Sequence, residues 1–145
     1  MSSIPRGIRN NNPGNIRWSN DQWKGLIPKD QASDKSFCVF RSPEYGIRAM
    51  ARIIRNYTKY PGIPGVGKPN IDTVREIINR WAPPIENNTE AYIQSVAKNL
   101  GTTANAPIDV FDNAIMLKLL KAIITHENGQ QPYSDAQITT GINLA

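Results

Sequence analysis

The chain has 145 residues, 39% of them hydrophobic and 20% charged, with a net charge of +5. That length suits one domain, and that balance allows a core without metals or crosslinks. A single cysteine excludes an intramolecular disulfide, and no stretch reaches the ~20 apolar residues of a membrane-spanning helix.

The segment Met1-Ser2-Ser3-Ile4-Pro5-Arg6 lacks the apolar run of a secretory signal, so delivery across a membrane would need another agent. The isoelectric point of about 9.5 favours polyanionic partners, either nucleic acid or the bacterial envelope. The basic residues are spread along the chain, so a merely solubilising surface is an equal reading.

Residues 1–42 read as loop with short extended pieces. Asn10-Asn11-Asn12-Pro13-Gly14-Asn15 is dense in turn formers, and Ile16–Trp18 and Phe37–Phe40 fit two short strands. Cys38, within the second, reads as a buried small hydrophobe. A first long helix starts at Ser42-Pro43-Glu44, with a capping serine, a first-turn proline and an early acid. The breakers of residues 61–67 end it. A second helix opens near Asp72 and carries Val74, Ile77, Ile78 and Trp81 at helical spacing until Pro83-Pro84. A third runs from Asn88 or Thr89 to Gly101. The fourth, from about Asp109 to Glu127, is apolar on most of its circumference from Phe111 to Ile124, the pattern of a buried helix. A short last helix falls around Ser134–Gly141. The expectation is a mainly α (α+β) single domain with a small strand-and-loop lobe.

Glu127 stands at the end of the most apolar helix. Partial desolvation and the negative helix terminus would both favour its protonated form, which a general acid needs. The alternative is a solvated last-turn residue beside His126. Glu86 has two readings, a capping acid before the third helix or a second carboxylate in a cleft. Glu44 is most simply a dipole partner and is a third candidate acid. Trp18 and Trp23 are candidate sugar platforms or ordinary core residues, and Trp81 ends a core stripe. His126 is the only histidine, and a lone histidine cannot build a multi-imidazole zinc site. No Cys/His cluster, phosphate-cradling glycine loop or Gly-x-Ser-x-Gly elbow is present, so no cofactor is expected.

Arg6 to Arg17, Trp23-Lys24-Gly25, Phe37 to Phe40, Ser42 to Met50, Arg80 to Pro83, Glu86 to Tyr92 and Ile124 to Tyr133 together resemble a family of phage and prophage lysis or virion structural proteins. These are similar to the lytic enzymes of enveloped double-stranded RNA phages. The order of Asn11-Asn12, Gly14, Ile16-Arg17, Trp23-Lys24-Gly25, Phe40 and Ser42 distantly resembles that in bacterial wall glucosaminidases. In those enzymes and in lytic transglycosylases, a helix ending in a catalytic glutamate precedes this region. Here only nine residues precede Asn10, whereas Ala122 to Gly129 looks like that helix moved to the C-terminal side.

The resemblance implies a lysozyme-like peptidoglycan-degrading enzyme, monomeric, carried in the virion or made in host cytoplasm and acting on the wall. It implies Glu127 as general acid/base and Glu86 as supporting carboxylate. Asn12, Asn15, Trp18, Trp23, Tyr92 and His126 would line the substrate groove. A peptide-crosslink endopeptidase and a non-catalytic virion or wall-binding protein are the alternatives. A nucleic-acid binder rests on charge alone.

Overall fold

The computed structural model describes residues 4–83 and 88–145. Among these the chain is mainly helical: α1 Arg6–Arg9, α2 Pro43–Tyr57, α3 Val74–Trp81, α4 Thr89–Leu100, α5 Asn113–Asn128 and α6 Asp135–Leu144. None of them is long and apolar enough to cross a membrane. Extended pairing is confined to isolated bridges, including Arg17 with Phe37 and Leu26 with Phe40. The two strands expected at Ile16–Trp18 and Phe37–Phe40 therefore meet, but at a single bridge. Neighbouring groups bond elsewhere instead of extending a ladder, Ile16 N to the Asn12 side chain and Phe40 N to the Asn10 carbonyl. The chain divides into two compact units, Met1–Arg52 with Ile123–Ala145, and Ile53–Ala122.

In the first unit, asparagines do the work of a strand. Asn11 and Asn15 adopt positive φ, 53° and 52°, a region that asparagine tolerates better than most residues. Asn12 is fully buried: its amide donates to the carbonyls of Ile16 and Cys38, both at 2.9 Å, and its oxygen accepts from Ile16 N at 3.0 Å. Asn11 donates to Phe40 O at 3.1 Å, and Phe40 N to Asn10 O at 3.0 Å. These bonds lash the asparagine run to the segment holding Cys38 and Phe40. Those two residues and Ala49 of α2 form a small core, covered by Ile16, Trp18, Trp23, Leu26 and Tyr45. α2 approaches so closely that a Cβ on Gly46 would collide with the Asn11 carbonyl. Ser134 and Gln137 cap α6 reciprocally.

Asp34 anchors the same unit from inside. Its side chain accepts from Arg6 Nε at 2.5 Å and Nη2 at 2.8 Å, from Asn10 at 3.0 Å, and from the amides of Ser36 and Phe37 at 2.9 and 3.1 Å. The Arg6 bonds come first in holding this carboxyl well below the usual carboxylate range; the Asn10 and backbone donors add to them, and burial opposes. Because the folded pKa lies below the unfolded one, the stability this group contributes is complete above the unfolded value of about 4 and is lost as pH falls below it. Thermal melts from pH 7 to pH 2 should show that acid limb, and Asp34→Asn should start less stable and flatten it. An unchanged acid limb in the variant would contradict this account.

In the second unit, α3 packs on α4, and Val74, Ile77, Ile78, Tyr92, Ile93 and Val96 are buried. The α3 start is fixed by a capping box between Thr73 and Glu76, so the helix begins at Val74, two residues after the expected opening near Asp72. Glu76 is 2% exposed, and besides that box it accepts from Ile63 N at 2.8 Å and Asp72 N at 3.1 Å, tying the preceding loop to the helix. α4 ends at Gly101 with φ 71°, the left-handed stop its sequence promises. α5 starts at Asn113 rather than Asp109. Asp109 instead accepts from the Phe111 amide at 2.9 Å, and Asp112 caps the helix through Ala114 N, also at 2.9 Å. Phe111 is thereby left outside the helix and 61% exposed, not part of a buried stripe.

Candidate functional site

The expected acid is held by both ends of the sequence. α5 carries its apolar face inward through Leu119, Leu120, Ile123 and Ile124, and its last two residues are Glu127 and Asn128. Both are half-buried. Asn15 Nδ2 donates to Glu127 Oε1 at 3.2 Å. Asn128 Nδ2 donates to Pro13 O at 2.8 Å and to Ile124 O at 3.0 Å, within its own last turn. The asparagine-rich segment therefore lies directly against the end of α5.

Gly7 of α1 makes this junction possible. A Cβ there would stand 2.5 Å from Asn128 Oδ1, 2.8 Å from Asn15 Oδ1 and 2.8 Å from the Asn12 carbonyl. Both side-chain oxygens are buried and meet no hydrogen-bond donor among the described residues. Only glycine permits that approach. Asn15 adds a left-handed backbone to its carboxylate contact.

The other expected residues separate from this cluster. Asn12 is a correction: it is fully buried, its amide is committed to three backbone bonds, and it cannot touch a substrate. Tyr92 is also corrected. It is a core residue of the second unit, 1% exposed, with no face left for a sugar. Trp18 and Trp23 pack their rings on the Cys38–Phe40 core, and Trp18 Nε1 donates to Asp34 O at 3.0 Å. Both rings are half-buried, and Trp23 Nε1 is buried with no hydrogen-bond partner among the described residues. His126 is exposed beside Glu127. Glu86 lies outside the described residues. Glu44 sits in the first turn of α2, 3.5 Å from Gln137 Nε2. Its charge adds to burial in pushing the Tyr133 hydroxyl up to about 12. Cys38 is 1% exposed and its thiol is pushed up to about 11 by burial, the state of an inert core thiol rather than a nucleophile.

Two participants escaped the sequence reading, Gly7 and Asn128. The available signal was a glycine three residues before an asparagine run, and an asparagine directly following the candidate acid.

Comparison with known proteins finds protein P5 of Pseudoalteromonas phage PM2, 38% identical over 144 residues, covering 97% of this chain and 82% of the phage protein. No family model matches.

Proposed function

The chain belongs to the family of protein P5 of the phage PM2, and we propose that it is a wall-degrading phage enzyme of lysozyme-like type that cuts the glycan of peptidoglycan. One observation carries this reading: a glutamate at the end of a helix with a buried apolar face, half-buried and engaged by the asparagine-rich segment through Asn15. In its acid form Glu127 carries a transferable proton. In the proposed reaction that proton passes to the glycosidic oxygen as the bond to the sugar C1 breaks. The resulting carboxylate then takes the proton of an attacking hydroxyl. If that hydroxyl is the sugar's own, on C6, the product is an anhydro ring and no second carboxylate is needed. A hydrolase would need a base or nucleophile besides the acid. Among the described residues Asn15 bonds one carboxyl, that of Glu127, which supports the anhydro product.

A zymogram of the purified chain against Gram-negative sacculi should show clearing, and mass spectrometry of the released fragments should show anhydro-sugar ends. Reducing ends would convert the reading to hydrolysis. Cut stem peptides with intact glycan, or no clearing by folded protein, would reject it.

A further inference from the structure

The second unit contains a groove of about 510 Å3, within the range of small-ligand pockets of about 300–1,000 Å3. Ile71 and Val110, 5% and 2% exposed, give it an apolar base, and Lys68, Asp72, Asp109 and Phe111 line it further. Phe111 is the unusual member. Its ring is 61% exposed, yet it is braced. The Asp109 carboxylate holds its amide at 2.9 Å. The Arg55 guanidinium lies 5.7 Å from its ring centroid and is itself fixed by bonds to Val110 O at 3.1 Å and Asn113 Oδ1 at 3.0 Å. An apolar ring kept in water, its amide held by Asp109 and its face met by Arg55, is a preorganised contact surface rather than a stray hydrophobe.

The charges select the ligand. One lysine and the Arg55 beside the ring are matched by two aspartates, so the groove has no excess positive charge to attract a polyanion despite the chain's net charge of +5. Carboxylates accept from hydroxyls, and an ammonium donates to ring or hydroxyl oxygens. A flat phenyl face buries the C–H face of a ring. We propose that this groove binds a neutral pyranose ring of an oligosaccharide, seated on Phe111. The proposal shares a glycan ligand with the Glu127 reading but involves no bond cleavage.

The test is an amide NMR titration of the full-length Glu127→Gln chain with the tetramer of N-acetylglucosamine. Saturable shifts at Ile71, Asp109 and Phe111 are expected. Phe111→Ala should weaken binding at least tenfold, with Phe111→Trp retaining it. The melting temperature should hold, because the ring is already exposed. Shifts confined to the neighbourhood of Asn15 and position 127, equal affinity in Phe111→Ala, or tighter binding of single-stranded DNA than of the sugar would overturn the groove proposal. Failure of the Glu127 reading would show separately, as sacculus clearing by the Glu127→Gln chain.

Discussion

Glu127→Gln is expected to fold like the unchanged chain and to lose sacculus-clearing activity by roughly 10²–10⁴-fold, the usual worth of a general acid. The amide oxygen of glutamine can still accept from Asn15 Nδ2, now 3.2 Å from the carboxylate, so the junction between α5 and the asparagine-rich segment is retained. What disappears is the transferable proton. Glu127→Asp keeps that proton but withdraws it by about one methylene, and a misplacement near 1 Å costs on the order of 10²-fold. Glu44→Gln provides the discriminating comparison. Glu44 contacts Gln137 and lies in the first turn of α2, where an uncharged isostere preserves the hydrogen bond. Clearing should survive there. Full clearing by Glu127→Gln, or its loss in Glu44→Gln, would move the acid elsewhere.

Helix ends were legible because they are local. Ser42-Pro43-Glu44, Asn88, Gly101 and Ser134 mark boundaries through bonds within one turn, and the helices begin or end where those residues stand. α1 was illegible for the opposite reason: four residues cannot display a period of 3.6. Phe111 misled because its spacing continues the apolar stripe of α5, while two aspartates, at 109 and 112, compete to end the preceding turn. The second wins the cap, and the ring is left outside. Asn12 and Asn15 are three positions apart and identical in type, so composition cannot separate them. Geometry does: Asn12 turns inward to three backbone groups, and Asn15 reaches a carboxylate 112 residues away. Trp18 and Trp23 read as platforms because they flank loops, yet a loop-rich unit closes its core with such rings.

Gly7→Ala is the sharpest test of how that carboxylate is held. Alanine should favour α1 by about 0.5–1 kcal/mol, since glycine is the poorer helix former. Against this, the new methyl would lie 2.5–2.8 Å from three oxygens, closer than packed atoms tolerate. Overpacking of this kind costs about 1–3 kcal/mol, so destabilisation wins. The three oxygens differ in their freedom to yield. The Asn12 carbonyl belongs to the backbone and accepts from Asn15 N at 3.0 Å. Asn128 is pinned by its bonds to Pro13 O and Ile124 O. The Asn15 side chain is the one that can turn away, and turning breaks its bond to Glu127. Gly7→Ala should therefore melt several degrees lower and, assayed well below that melt, clear sacculi at least tenfold more slowly. Adding Asn15→Ala should cost less stability in the Gly7→Ala background than in the parent, because part of the collision has been removed with the side chain. A coupling of about 0.5–3 kcal/mol is the range for residues in contact. Strict additivity of the two changes, or a Gly7→Ala chain as stable and active as the parent, would mean that the glycine does not set the position of Asn15 against the acid.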